Sequence, residues 1–119
     1  MEFLLDTNFL VVPIRFHIDV FHEIRKHYPK AEFAVTDGAM RELLKLHEKK
    51  VASRLLEKNG ARVVQTRGGD VDSAMLAYAA ANAAVICTND ADLRSRCRSK
   101  GVRTVFVKKR KTLGASWDW

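Results

Sequence analysis

Four acids in this chain each follow a short apolar run. Asp6 comes straight after Phe3-Leu4-Leu5, and Glu42 lies about one helical turn into the segment after Phe33-Ala34-Val35. Asp72 comes after Val63-Val64 and a Gly68-Gly69-Asp70 loop, and Asp90 after Val85-Ile86-Cys87. Asp92 is a fifth acid two residues further on. If the apolar runs are strands of a parallel sheet, their carboxyl ends share one edge, where open α/β sheets place their ligand crevice. Four or five carboxylates on one rim repel each other and raise each other's pKa unless a cation neutralises them. Oxygen donors in that number suit Mg²⁺ or Mn²⁺, ions that keep waters and meet substrate phosphates.

Each acid also has a bland reading. Asp6 could end a strand in a turn, and Glu42 could be a surface residue that favours the start of a helix. Either Asp70 or Asp72 could cap the helix that follows them, and Thr88-Asn89-Asp90 offers more capping groups than one helix needs. The joint placement of the acids, each behind a strand, favours a site over a coincidence of caps.

The elements that would position these residues alternate. Phe3 to Leu5 reads as a strand buried on both faces. Pro13 suits a helix start, and Ile14, Ile18, Phe21, Ile24 and Tyr28 form one apolar stripe, which predicts a single helix ended by Tyr28-Pro29. Glu32 to Val35 is a second strand. A helical pattern runs from Ala39 to about Lys58, with Met40, Leu43, Leu44, Val51, Leu55 and Leu56 on one face and a polar break at His47 to Lys50. Arg62 to Gln65 is a third strand. The alanine-rich segment from Asp72 to Asn82 reads as the most buried helix, Ala84 to Cys87 as a fourth strand, Asp90 to Lys100 as a helix, and Val102 to Val107 as a fifth strand. The tail at Ser116 to Trp119 shows no element, and Trp117 and Trp119 are expected to fold back onto the domain. The pattern predicts a single α/β domain over residues 1–119: a three-layer α/β/α sandwich around a central parallel sheet of about five strands.

At 119 residues and 47% hydrophobic content the chain can bury a core. No apolar run reaches the roughly 20 residues of a membrane span, and no signal-peptide pattern opens the chain, so no membrane role is expected and a cytoplasmic location is. Cys87 and Cys97 lack CxxC spacing and read as buried thiols. The net charge of +7 suggests a polyanionic partner, and its distribution narrows the choice. Residues 1–60 carry ten Lys/Arg against nine Asp/Glu, and residues 61–119 eleven against five. Nine of those bases fall between Arg94 and Lys111 with no acid among them, including Arg94, Arg98, Lys108, Lys109 and Arg110. Beside an acidic crevice, such a strip suits a phosphate backbone.

Other chemistries find no support. His17, His22 and His27 are five residues apart and do not share a helix face, and His47 lies in a polar stretch. Gly68-Gly69 lacks the Lys-Ser/Thr of a phosphate loop. No serine sits in a Gly-x-Ser-x-Gly elbow, and no Cys–His pair suggests a thiol nucleophile.

Leu5-Asp6-Thr7-Asn8, Thr36 to Leu43 with Glu42, Val71-Asp72-Ser73-Ala74 and Thr88-Asn89-Asp90-Ala91-Asp92-Leu93 together resemble a PIN domain along the whole chain. The resemblance implies an Mg²⁺- or Mn²⁺-dependent endoribonuclease. By it Asp6, Glu42, Asp72 and Asp90 are the metal-binding and catalytic carboxylates, with Asp92 open as the alternative to Asp90. Asn8, Thr88 and Asn89 would orient carboxylates and water, and Arg94, Arg98, Lys108, Lys109 and Arg110 would hold RNA. The family includes nucleases that trim ribosomal RNA precursors and toxins of toxin–antitoxin pairs, and the basic C-terminal part leans towards the first. Implied partners are RNA, an antitoxin or ribosome-assembly protein, and a second copy in a homodimer. The rival from another class is a non-catalytic RNA-binding scaffold on the same fold. A phosphoryl-accepting signalling domain is disfavoured, because it would leave Glu42 without a role.

Overall fold

The computed structural model describes residues 1–67 and 69–119; Gly68, expected in the loop before Asp70, lies outside them. A six-stranded sheet in the order β3-β2-β1-β4-β5-β6 forms the middle layer. Its strands are β1 (Glu2–Leu5), β2 (Glu32–Thr36), β3 (Arg62–Val64), β4 (Val85–Cys87), β5 (Thr104–Lys108) and β6 (Thr112–Ala115). The first five are parallel, and β6 pairs antiparallel with β5. β1 is central, with Leu4 opposite Ala34 on one side and Ile86 on the other. Phe3, Leu4 and Leu5 are wholly buried, as a strand covered on both faces requires.

Strand residues alternate between two cores. Phe3, Leu5, Phe33, Val35, Val85, Cys87 and Val105 face α1 (Thr7–Leu10), α2 (Val12–Arg15), α3 (Val20–His27), α4 (Asp37–Leu43) and α5 (Lys49–Lys58). Leu4, Ala34, Val64 and Ile86 face α6 (Val71–Asn82) and α7 (Ala91–Ser99) through Met75, Leu76, Ala79, Leu93 and Cys97. The three-layer arrangement is thus the expected one. The sheet has one more strand than expected, and it is mixed rather than wholly parallel.

Three local expectations are corrected. The single helix after Pro13 is two: α2 ends near Arg15, His17 turns the chain with a φ of 56°, and Asp19 caps α3 by accepting from the His22 N–H at 3.0 Å. Ile18 is still buried, so the apolar stripe survives the break that it hid. Leu44 and Val51, expected on the buried face, are 54% and 50% exposed, and Ala52 is buried instead. The alanine helix α6 buries only one side, and Ala77, Ala80 and Ala81 are exposed. The tail from Ser116 to Trp119 has no helix or strand, as expected, but the unassigned stretch before it forms β6, reached through a turn in which Lys109 and Arg110 both take positive φ.

The terminal tryptophans do fold back. Trp119 stacks on His27 with ring centroids 4.1 Å apart, and the Trp117 indole N–H donates to the Tyr28 hydroxyl at 3.0 Å. Cys87 and Cys97 are buried free thiols, and burial pushes the Cys97 thiol up to about 11, so both stay protonated and unreactive at neutral pH.

Candidate metal and nucleic-acid site

The carboxyl ends of β1, β2, β3 and β4 lie along one edge, and the candidate acids follow them. Asp6 is the residue after β1 and is only 6% exposed. Its N–H donates to the Cys87 carbonyl at 2.9 Å, which extends the pairing of β1 with β4 by one residue. One carboxylate oxygen accepts from the Thr88 hydroxyl at 2.7 Å and the other from the Thr7 N–H at 2.8 Å. Burial raises the Asp6 carboxyl above its ordinary range. The Thr88 and Thr7 hydrogen bonds pull it back, and the charges of Asp72 and Glu42 push it up again.

Glu42 sits on α4, exposed at the rim. Its Oε1 accepts from the Thr7 hydroxyl at 2.8 Å, so Thr7 ties Asp6 to Glu42 through its N–H and its side chain. Sequence reading passed over Thr7; its signal was a short hydroxyl residue in the turn directly after the strand-end acid. The caps at α6 are now assigned. Asp70 caps the helix by accepting from the Ser73 N–H, which leaves Asp72 half-buried in the first turn and free of that duty. Burial raises the Asp72 carboxyl, and the nearby Asp90 charge adds to the rise. Arg96 opposes it, while Asp70 and Glu42 add smaller contributions. Arg96, which the sequence showed only as one base of the strip, donates to the Ser73 hydroxyl at 3.0 Å and so bridges α7 to the start of α6.

Asp90 caps α7, its Oδ1 accepting from the N–H groups of Asp92 and Leu93. Thr88 joins the two central acids: its hydroxyl donates to Asp6 and accepts from the Asp90 N–H at 3.1 Å. Asp92 is exposed, in the first turn of α7. Asn8 accepts the Asn89 N–H at 3.1 Å, and the Asn89 side chain accepts the Val107 N–H at 3.0 Å, which fixes the loop after β4 against β5. Of the five basic residues expected to hold RNA, Lys108 ends β5, and Lys109 and Arg110 lie on the turn after it. Arg94 and Arg98 lie on α7.

All these acids offer oxygen alone, and burial with mutual repulsion lifts Asp6 and Asp72, so the chemistry of the set fits a hard divalent cation. Among the described residues no three His, Cys, Asp or Glu side chains stand together as a group that could hold a metal ion. As they stand, Asp6, Glu42 and Asp90 are linked through Thr7 and Thr88, and Asp72 lies on the same edge outside that network.

A family profile described as "PIN like domain" matches residues 3–110, and the chain belongs to that family. Its fold is that of solved PIN structures. The PIN domain endonuclease Utp24 aligns over 97% of this chain and 90% of its own, with TM-score 0.83 and 23% identity. A PilT N-terminus domain protein from the hyperthermophilic archaeon Sulfolobus solfataricus aligns over 92% and 90%, with TM-score 0.62 and 13% identity. VapBC2 from Rickettsia felis, solved bound to a DNA fragment from the promoter, aligns over 80% and 92%, with TM-score 0.56 and 16% identity. No curated protein sequence matches the chain. No helix among the described residues is long and apolar enough to cross a membrane.

Proposed function

We propose that this protein is a metal-dependent endoribonuclease that works at the rim formed by Asp6, Glu42, Asp72 and Asp90. The observation that carries the reading is the state of Asp6. A carboxylate at the end of the central strand is buried, held by two hydrogen bonds, and repelled by Asp72 and Glu42. Asp6 also caps α1 through the Thr7 N–H, but burial beside two other acids costs stability, and a cap alone would not need it. Those four residues would hold Mg²⁺ or Mn²⁺, with Asp92 as the alternative to Asp90. Bound there, the ion would lower the pKa of a water and relieve charge on the leaving oxygen.

The chain's own groups do the remaining work. Thr88 and Thr7 orient the Asp6 carboxylate, Thr7 orients Glu42, and Asn8 with Asn89 hold the loop that carries Asp90. Lys108, Lys109 and Arg110 place positive charge on the flank of the rim, where a phosphate backbone would run. Ribosomal RNA processing is the favoured role, because the bases concentrate in the C-terminal part. A toxin paired with an antitoxin is the alternative within the family.

Single-stranded RNA incubated with the protein and Mn²⁺ should be cut internally, and EDTA should stop the cutting. Cleavage that survives EDTA and the double substitution Asp6→Asn, Asp72→Asn would belong to a contaminating nuclease. RNA bound but never cut, across metals and substrates, would make the protein a scaffold.

The rim acids should also weaken the metal-free fold. In EDTA, Asp6→Asn should raise the melting temperature by a few degrees. The amide oxygen keeps an acceptor for the Thr7 N–H, the NH₂ donates to the Thr88 oxygen in place of the bond the carboxylate received, and no charge enters the buried site. A melting temperature lowered by that substitution would mean that the carboxylate is a net stabilising group without metal.

A further inference from the structure

The basic strip does more than surround the rim. Between α7 and the β5–β6 pair lies a cavity of about 470 Å³ lined by Arg94, Arg98, Val102, Thr104, Phe106 and Ser116, with no acid among its lining residues. That volume falls within the roughly 300–1,000 Å³ of small-ligand sites. Inside it the Arg94 guanidinium carbon lies 3.8 Å from the centroid of the Phe106 ring. Phe106 pairs with Gly114 across the strands, and a β-carbon on Gly114 would come within 2.5 Å of the Lys108 stem and 2.8 Å of the ring. The bare glycine backbone therefore makes room for both the Lys108 stem and the ring on which Arg94 lies.

The cavity is joined to the rim at its upper end. The Arg94 N–H donates to the Asp90 carbonyl at 3.0 Å, and Val107, next to Phe106, donates to Asn89. Arg98 lies one turn further down the same helix face, about 6 Å along the axis.

We propose that this groove holds a segment of single-stranded RNA outside the rim, with one base stacked on the Arg94 guanidinium and a neighbouring phosphate on Arg98. The proposal rests on the reading of RNA as the substrate. A guanidinium braced on an aromatic ring offers a flat, cationic face to any base, and unstacked bases are what single strands present. An acidic peptide would meet the same charge but would have no use for the flat face.

The test is binding in EDTA, so that no cutting intervenes. The probes are a fluorescein-labelled octauridylate and an abasic chain of the same length and charge. Wild type should prefer the octauridylate roughly tenfold, within the range of single-base stacking. Arg94→Lys, which keeps the charge and loses the plane, should abolish most of that preference. Gly114→Ala, which crowds Phe106 and the Lys108 stem while leaving the net charge unchanged, should lessen it. Arg98→Gln should lower the salt slope of octauridylate binding by roughly 0.7.

Equal affinity for the two probes in wild type, an undiminished preference in Arg94→Lys, or no RNA binding at all would overturn the proposal. So would displacement of the octauridylate by polyglutamate at equal charge, since charge alone would then explain the binding. Cutting by wild type with no preference between the probes would refute the groove and leave the nuclease. A base-dependent preference without cutting under any metal would refute the nuclease and leave the groove.

Discussion

Asp90→Asn should abolish metal-dependent RNA cutting, and Asp92→Asn should leave most of it. The two acids were equivalent candidates by spacing, and their surroundings separate them. Asp90 is half-buried, its N–H is held by the same Thr88 hydroxyl that holds Asp6, and its charge raises the Asp72 carboxyl. Asp92 is exposed in the first turn of α7, and among the described residues no side chain of the rim hydrogen-bonds to its carboxylate. Asparagine at position 90 keeps the oxygen that caps α7 for the N–H groups of Asp92 and Leu93, so the fold should survive the change. The loss should exceed the roughly 10–100-fold typical of residues one step removed from a metal. Rates on one labelled RNA under Mn²⁺, with melting curves as the control for folding, measure it. A dead Asp92→Asn beside an active Asp90→Asn would transfer the role to Asp92.

What could be read beforehand divides along physical lines. The strands were legible because buried parallel strands are short apolar runs, each followed directly, after a short loop or within about one helical turn by an acid. Asp6 after Phe3-Leu4-Leu5 is the clearest case. The break between α2 and α3 was not, because Ile14, Ile18, Phe21 and Ile24 keep helical spacing even though His17 reverses the chain. Its signal was Asp19, a capping residue with Glu23 in the first turn of the helix it starts.

β6 was missed for a related reason. Positive φ in a hairpin turn normally advertises itself as Asn-Gly or Asp-Gly, and here Lys109 and Arg110 take it in a three-residue loop within a run of charges. The alanine helix misled because alanine is apolar but has little surface to bury, so a row of it says nothing about which side faces water. Asp70 and Asp72 could not be separated by spacing, since either could cap. Only the accepted Ser73 N–H decides for Asp70. Thr7, Arg96 and the Arg94–Phe106 pair depend on side chains that meet across elements, which no local pattern encodes.

Thr88→Val should destabilise the protein by about 2–4 kcal/mol and end cutting, although it replaces one side chain with another of nearly the same shape. Thr88 is wholly buried, and its hydroxyl is used twice: it donates to the Asp6 carboxylate at 2.7 Å and accepts from the Asp90 N–H at 3.1 Å. Valine fills the space and leaves a buried charged acceptor and a backbone donor without their partner. Each such orphan costs about 1–3 kcal/mol, more when the group is charged. For a domain of this size that lowers the melting temperature by roughly 10 °C. Thr88→Ser, which keeps the hydroxyl and loses only a methyl group, should retain most of the stability.

The decisive measurement is a double-mutant cycle with Asp6→Asn. An amide at position 6 needs the hydroxyl less than a buried carboxylate does. Thr88→Val should therefore cost at least about 1 kcal/mol less in the Asp6→Asn background. An equal cost in both backgrounds would show that packing around Thr88 carries the effect and that its bond to Asp6 does not. A smaller cost when position 6 carries the amide would show that this one buried hydroxyl holds the central carboxylate in place for whatever binds at the rim.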